Sequence, residues 1–263
     1  YHNRLKLGAV KCIADGSPQG KTAYWSQPLA TAGPVGQRPW RGEPNMTQAA
    51  IDEMYALCYR HDVRVFTHAN GDAAIDMVLA AYERANARKS IVGRRWSIEH
   101  AFIGRPDHLP RLKALGLAMS LQDHLYLAGP SLVQYWGAAR AGLTTPVRLY
   151  LDAGLPVSSG TDAPVVPYPP LWTLYHFVTR DTIAGGVLGA DQKVTRQEAI
   201  RMATTGNAWL TMEEADKGSL ERGRLADLVV LSENPMTCPE PRIRDAQVLM
   251  TIVGGRVVYE APK

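Results

Sequence analysis

The sequence has few cysteines, no dense run of basic residues and no long uninterrupted hydrophobic segment. Its three cysteines are scattered over 263 residues without a CxxC pair, which argues against a disulfide framework or a cysteine metal site. Its 29 Lys and Arg residues are interspersed with 25 Asp and Glu residues, and a formal charge of +4 in this pattern does not favour nucleic-acid binding. No uncharged apolar run reaches the roughly 18 residues of a membrane span. A globular chain in the reducing cytosol, with no membrane or nucleic-acid partner, is therefore expected.

A nucleotide-binding motif is also missing. No GxGxxG fingerprint occurs, and the segment GSPQGKT at residues 16–22 has only three residues between its glycines, where a P-loop has four. Prolines and glycines over residues 23–45 predict a long loop rather than a helix whose N-terminus could hold a phosphate. We therefore do not expect a nucleotide cofactor.

Short apolar runs alternate with helical patterns from residue 5 to about residue 166, as in parallel β/α proteins. Five predicted strands lie at residues 6–14, 64–67, 95–98, 117–121 and 155–159. Helix starts are indicated by Thr47, Asp72 and the capping box of Thr195 and Glu198.

The last fifty residues change character. Residues 226–231, 247–253 and 256–259 are rich in β-formers, and Gly254-Gly255 is a hairpin signal. We predict an α/β portion over residues 1–215 and a β-rich tail over residues 216–263.

Three polar side chains follow the ends of predicted strands. His68, His100 and Asp162 end the second, third and fifth runs, and the carboxyl ends of parallel strands converge although they are far apart in sequence. Imidazole nitrogens and carboxylate oxygens are ligands for Zn²⁺ and similar ions. A lone strand-end histidine is usually structural, but the recurrence makes a His/His/Asp metal site the leading hypothesis.

Lys11 lies within the first apolar run. Burial would favour its neutral amine, which can react with CO₂ to give a carbamate able to bridge metal ions as a carboxylate does. The alternative is a lysine that reaches the rim of the sheet or pairs with Asp15. Glu99, beside His100, is a candidate for supporting that ligand, and His124 is a candidate for contacting substrate or for a structural role.

Together these residues resemble the amidohydrolase superfamily of metal-dependent hydrolases, in particular its amidohydrolase-3 branch of YtcJ-like and N-substituted formamide deformylase-like proteins. The matching segments are VKCIADGS (10–17), HANGDAAID (68–76), IEHA (98–101), SGTDAP (159–164), and the tail segments GSLERGRLADLVVL (218–231) and VGGRVVY (253–259). The resemblance implies a TIM-type (β/α)8 barrel beside a small β-sandwich made from both chain ends. It also implies that Lys11 is a carboxylated lysine bridging two ions, that His68 and His100 are metal ligands, and that Asp162 is both ligand and general base.

The sequence departs from this family in one respect. The family's first strand carries a His-x-His pair, and no two of the seven histidines here are two positions apart. We therefore expect a C-terminal fragment holding barrel strands four to eight and the C-terminal part of the sandwich, in agreement with the absence of an initiator methionine. Such a fragment is expected to be weakly active or inactive alone, and to self-associate through open barrel edges or to pair with the missing N-terminal half.

The expected reaction is hydrolysis of a C–N bond in a small amide, formamide or cyclic amide, with a divalent metal, zinc by preference, and Asp162 as general base. Two alternatives remain open. A non-catalytic relic or binding scaffold would not need the metal, and a metal-independent β/α acid–base enzyme would keep its activity after chelation.

Overall fold

A computed structural model describes residues 5–262 of the chain, and its central element is a parallel sheet. The sheet has five strands in sequential order: β1 (Val10–Ile13), β2 (Val65–Ala69), β3 (Ser97–His100), β4 (Ala118–Gln122) and β5 (Val157–Gly160). All four pairings are parallel, so the carboxyl ends of the strands lie along one edge of the sheet. The five strands predicted from the apolar runs are confirmed, and the chain has an α/β fold.

Helices connect the strands and follow the last of them. They are α1 (Gln48–Arg60), α2 (Asp72–Arg88), α3 (His108–Leu115), α4 (Leu125–Trp136), α5 (Ala138–Gly142), α6 (Val147–Asp152), α7 (Pro170–Thr179), α8 (Arg196–Arg201), α9 (Asn207–Leu210) and α10 (Glu240–Asp245). A π-helical turn over Met202–Gly206 joins α8 to α9. No helix within residues 5–262 combines the length and the apolar character needed to cross a bilayer.

The helix caps agree with the sequence at two places and differ at a third. The Thr47 hydroxyl accepts a hydrogen bond from the Ala50 N–H at 3.2 Å, and Thr195 and Glu198 form the predicted capping box. The prediction that Asp72 caps α2 is wrong, because Gly71 is the N-cap residue. Asp72 is the first residue of the helix, and its carboxylate instead accepts a hydrogen bond from the Ser26 N–H at 2.9 Å. A tertiary contact to the long loop thus replaces the local cap.

One face of the sheet is packed against helices. The Thr67 hydroxyl of β2 contacts the buried hydroxyls of Tyr55 in α1 and Tyr82 in α2, which hold both helices on this face. Trp96 packs edge-on against Tyr55 with ring centroids 6.0 Å apart. On the other face Phe66 is only partly buried, and in β1 Cys12 alone is buried. The sheet is therefore covered by helices on one side and open on part of the other.

The predicted β-rich tail forms a second, antiparallel sheet. Its strands are β6 (Leu228–Leu231), β7 (Val248–Val253) and β8 (Arg256–Glu260), in the order β6-β7-β8. Gly254 and Gly255 make the turn between β7 and β8 with φ of 57° and 76°, a conformation that glycine adopts without strain. Every residue of β8 is exposed, including Val257 and Val258. This small sheet leaves apolar side chains uncovered within the described residues.

A buried histidine of α7 predicts acid-sensitive stability. His176 is fully buried, its Nδ1 lies 3.2 Å from the Asp181 carbonyl, and its Nε2 has no hydrogen-bond partner among residues 5–262. Burial, reinforced by the charge of Arg180, lowers its pKa to about 3, whereas an unfolded histidine titrates near ~6.5. The unfolded chain therefore binds more protons between these pH values, and the stability present above pH ~6.5 is lost as the pH falls toward 3.

For this single group the loss between pH 7 and pH 5 is about 2 kcal/mol. Urea denaturation of the wild type and His176→Phe at both pH values measures it. We expect the variant to lose about 2 kcal/mol less than the wild type over this interval. Equal losses in the two proteins would contradict the assignment.

Candidate metal centre

Four polar side chains meet where the parallel strands end. His68 lies in β2, His100 ends β3, His124 follows β4, and Asp162 follows β5. His100, His124 and Asp162 each offer a ligand atom, and these atoms all lie within 4.8 Å of one another. The His68 and His100 rings are in edge contact, with centroids 4.6 Å apart. Three imidazoles and a carboxylate thus share one small region, a donor set suited to a divalent ion.

His100 is fixed by its backbone and by a neighbouring side chain. Its φ of 73° and the φ of 43° at Ala101 turn the chain sharply at the end of β3, and Asp162 also has a positive φ of 60°. Such values are uncommon outside glycine and cluster at functional sites. The His100 Nδ1 lies 2.7 Å from the Gln122 Oε1, so Nδ1–H donates and Nε2 keeps its lone pair. Burial, with the nearby His68 and His124, lowers the pKa of His100 and keeps its imidazole neutral.

His124 and Asp162 are in direct contact. The His124 Nε2 lies 3.0 Å from the Asp162 Oδ2, yet it is not aligned for a hydrogen bond and has no other partner in the described part of the chain. Burial works against the ionised form of Asp162, but contact with His124 and the nearby His100 outweigh it and lower the pKa of Asp162. The carboxylate is therefore ionised at neutral pH and lies directly against the His124 ring.

His68 is held differently. Its Nε2 lies 2.9 Å from the amide nitrogen of Asn70 and 3.1 Å from the Gly16 carbonyl oxygen, and it can hydrogen-bond only one of them in a given tautomer. Burial is the main cause that lowers the pKa of His68, and the charge of Lys11 acts in the same direction. The ring is neutral, but its Nε2 is already occupied by protein groups.

Asp15 organises the loops around His68, a role the sequence did not reveal. This fully buried carboxylate accepts hydrogen bonds from the backbone N–H groups of Tyr24 (2.9 Å), Asn70 (2.9 Å) and Gly71 (2.8 Å). Burial outweighs these bonds and raises the pKa of Asp15 to about 7. The only sequence feature that points to this role is the Asp-Gly pair directly after a strand, and the same pair is typical of an ordinary turn.

Lys11 is exposed, and the expectation that it is buried is wrong for this chain. β1 is an edge strand of the described sheet, and its face opposite the helices is open. The charge of Lys11 nevertheless lowers the pKa of His100 and of Asp162, which places it on the side of the sheet that carries the cluster.

Gln122, rather than the candidate Glu99, makes the hydrogen bond with His100. Glu99 is partly buried, accepts a hydrogen bond from the Ser97 hydroxyl at 2.6 Å, and has its pKa raised by burial. His100 is oriented by the hydrogen bond that its Nδ1–H donates to the Oε1 of Gln122, a residue that no sequence motif singled out. Gln122 is the last residue of β4, two positions before His124. A polar residue at a strand end was the only sequence feature that pointed to a role for it.

Replacing Asp15 by Asn should destabilise the fold. The amide keeps one acceptor oxygen, but its NH₂ group faces backbone N–H groups that then lose their partners. Leaving such buried donors unsatisfied should lower the free energy of unfolding by about 2–4 kcal/mol. The matched control is Asp62→Asn, whose carboxylate is 84% exposed and which should change stability by less than about 0.5 kcal/mol. Urea denaturation yields both values, and an unchanged Asp15→Asn protein would refute the role assigned to this carboxylate.

Comparisons with known proteins place this geometry in a family. The amidohydrolase family profile matches residues 1–259. The chain is 36% identical over 216 residues to N-substituted formamide deformylase of Arthrobacter pascens, covering 81% of this chain and 40% of the relative. It is 26% identical to the putative amidohydrolase YtcJ of Bacillus subtilis (strain 168), covering 97% and 48%.

A solved structure shares the fold. An uncharacterized metal-dependent hydrolase from Pyrococcus furiosus superposes with a TM-score of 0.74 at 31% identity, covering 90% of this chain and 47% of that one. The chain therefore spans about half the length of the relatives it matches. The profile match over nearly all residues settles the family, and the chain belongs to the amidohydrolase family.

Proposed function

We propose that this chain is the C-terminal part of a metal-dependent hydrolase that cleaves a C–N bond in a small amide, formamide or cyclic amide. The observation that carries the proposal is the cluster of buried His100 and His124 with the partly buried Asp162 at the carboxyl ends of parallel strands. Active sites of parallel β/α proteins lie at this end of the sheet. The formamide class is supported by the relative that acts on N-substituted formamides, as its name states, at 36% identity.

The residues present fit a divalent ion, and we propose zinc. The donors include the neutral imidazole of His100 and the ionised carboxylate of Asp162, with the buried Nε2 of His124 3.0 Å from that carboxylate. For the complete site we propose Lys11, His68, His100 and Asp162 as ligands, with Lys11 as the CO₂-derived carbamate. A bound ion would lower the pKa of a water molecule and polarise the substrate carbonyl.

Asp162 is the proposed general base. Its lowered pKa keeps the carboxylate ionised at neutral pH, so it can accept the proton of the attacking water at Oδ2 or Oδ1. It then returns that proton to the departing nitrogen, which leaves as an amine. His124, 3.0 Å from Oδ2, fixes the orientation of this carboxylate, and Gln122 fixes that of His100.

The sheet of this chain is proposed to be part of a barrel. β1 and β5 each pair on one side only within residues 5–262, which leaves two open edges. Beside β5 lies a cavity of about 420 Å³, lined by residues that include Ala118, Ser158 and Trp209. The relatives are about twice as long. We propose that residues 1–215 hold the last five strands of a (β/α)8 barrel, completed by three strands of an N-terminal half.

The tail, residues 216–263, is proposed as one half of a β-sandwich. The exposed Val229, Val257 and Val258 of its small sheet would be covered by strands of the N-terminal half. Without that half, the open strand edges should pair with other copies, because unpaired N–H and C=O groups template further strands. Sedimentation velocity tests this, and a monodisperse monomer at micromolar concentration would contradict it.

We also propose that the protein is cytosolic, and its three buried free cysteines support this placement.

The activity is tested by formate release from N-alkyl formamides. The metal-free chain is assayed with and without added Zn²⁺ or Co²⁺, at high protein concentration because a half-site should turn over slowly. We expect slow hydrolysis that requires the added ion and stops on chelation. Hydrolysis that survives chelation would point to a metal-independent acid–base enzyme, and failure to bind any ion would reduce the chain to a non-catalytic relic or scaffold.

A further inference from the structure

We propose that Asn207 is a positioning residue for the hydrolytic reaction, because its side-chain amide fixes the end of β5 that presents Asp162. Asn207 is the first residue of α9, directly after the π-helical turn, and it lies 48 residues beyond Ser159 of β5 in the sequence. The inference rests on the proposed function, since it assigns a residue that acts through the proposed general base. No sequence motif points to Asn207.

Asn207 binds both backbone polar groups of Ser159. The Ser159 N–H donates to the Asn207 Oδ1 at 3.2 Å, and the Asn207 Nδ2 donates to the Ser159 carbonyl oxygen at 2.9 Å. The same Nδ2 donates to the Ala203 carbonyl oxygen of the π-helical turn at 3.1 Å. A side-chain amide has two N–H donors and one carbonyl acceptor, and here each of them has a partner. The amide is therefore held in one orientation and acts on Ser159 as a peptide group would.

The two Ser159 groups face the edge of β5 that has no neighbouring strand in the described part of the chain. Alternate residues of a parallel strand bond to the strands on its two sides. The Met119 N–H of β4 donates to the Pro156 carbonyl oxygen at 2.9 Å, so by alternation Val157 and Ser159 point their backbone groups away from β4. Ser159 is buried, and a buried backbone group without a partner costs free energy. Asn207 therefore supplies the partners that no strand supplies at this position.

The segment that carries Asn207 is shaped to approach this edge. A Cβ atom at Gly206 would lie 2.5 Å from the Val157 carbonyl oxygen, so only glycine allows the chain to pass so close to β5. The π-helical turn over Met202–Gly206 separates α8 from α9. Such turns are rare and are frequently found at functional sites. The glycine and the π-helical turn together place the Asn207 amide beside Ser159.

The end of β5 that Asn207 holds leads directly to Asp162, because only two residues separate Ser159 from Asp162. Asp162 turns the chain with its φ of 60°, and its Oδ2 lies 3.0 Å from the His124 Nε2. β4 holds β5 on one side through the parallel pairing, and Asn207 holds it on the other. Loss of the second support would let the end of β5 shift together with the Asp162 carboxylate. A misplacement of about 1 Å can lower a rate about 100-fold.

Single-turnover formate release and amide hydrogen exchange test the assignment in Asn207→Leu, since leucine has a similar volume but neither hydrogen-bonding group. We expect its maximal rate constant to fall about 100-fold while the half-saturation concentration stays within about threefold, because the base moves and substrate binding does not change. In the metal-free chain, exchange at residues 159–163 should become at least about tenfold faster, with β2 unchanged. The matched control is Asn86→Leu, whose Oδ1 accepts the Ile91 N–H at 2.9 Å near the end of α2. It should change neither quantity by more than about twofold.

A second variant, Asn207→Gln, keeps the amide on a stem one methylene longer, which shifts the Ser159 contacts without removing them. Its rate constant should lie between those of the wild type and Asn207→Leu, and it covers the case in which the leucine variant unfolds. A wild-type rate constant or wild-type exchange at residues 159–163 in both variants would overturn the assignment. So would a rate loss matched by an equal rise in the half-saturation concentration, which would place the effect in substrate binding.

Failure of the proposed function is distinguishable from failure of this inference. A wild-type chain that releases no formate would contradict the proposed function itself. The exchange rates of the metal-free chain would still decide whether Asn207 fixes this end of β5.

Discussion

Asp162→Asn should lower the rate of formate release by the metal-loaded chain by about 10²–10⁴-fold, the usual contribution of a general base. Asparagine keeps the shape of the side chain, but its amide cannot accept the proton of the attacking water or return it to the leaving nitrogen. The positive φ of 60° at this position is tolerated by Asn better than by most residues, so the backbone turn should persist. The loss should therefore reflect chemistry rather than unfolding.

The measurement is single-turnover hydrolysis at protein concentrations above that of the substrate, which makes a slow half-site observable. The matched control is Asp152→Asn, a carboxylate of α6 that is 64% exposed and pairs with Arg148 on the surface. Its rate should stay within about twofold of the wild type, since a surface pair contributes little. A comparable loss in the control, or a rate near wild type in Asp162→Asn, would remove Asp162 from the role of base.

Replacing Arg180 by Met should cost the largest amount of stability. The Arg180 guanidinium is fully buried at the end of α7 and donates to the carbonyl oxygens of Gly142, Thr144, Thr145 and Leu188 at 2.8–3.1 Å. Methionine fills much of the volume but leaves four carbonyl oxygens, three of them on buried residues, without these donors. We expect the free energy of unfolding to fall by about 3–5 kcal/mol.

Chemical denaturation of Arg180→Met against Arg84→Met measures this effect. Arg84 is 48% exposed and pairs with Asp52, so its loss should cost less than about 1 kcal/mol. Burial lowers the pKa of Arg180 to about 10, which still leaves it charged at neutral pH. Equal free energies of unfolding for the two variants would contradict this expectation. They would show that the desolvation penalty of the buried Arg180 cation is as large as the stabilisation from its four hydrogen bonds.

The parts of the fold set by local patterns could be predicted from the sequence. Short apolar runs placed all five parallel strands, and Thr47 and the Thr195/Glu198 pair marked helix starts correctly, because these signals depend on neighbours within a few residues. The prediction that Asp72 caps α2 is wrong for the opposite reason. Its carboxylate is used by Ser26, 46 residues away, and no local rule anticipates such a contact.

The candidate site divides in the same way. The convergence of His68, His100 and Asp162 follows from strand topology, which the sequence pattern predicts. The exposure of Lys11 depends on what covers the open face of the sheet. The hydrogen bond from His100 to Gln122 and the contact of His124 Nε2 with Asp162 depend on the angles of individual side chains, which are set only when the whole sheet is assembled. The sequence therefore predicts where the site lies, whereas the role of each side chain within it becomes clear only from the structure.

The most direct test of a metal-dependent hydrolase centre at these strand ends is the metal content of the chain purified without chelators. Elemental analysis of the wild type and His100→Ala suffices, because His100 belongs to every ligand set considered. We expect about one divalent ion per wild-type chain and a loss of most of it in the variant. A wild-type chain without metal, or a variant that keeps the full amount, would contradict it.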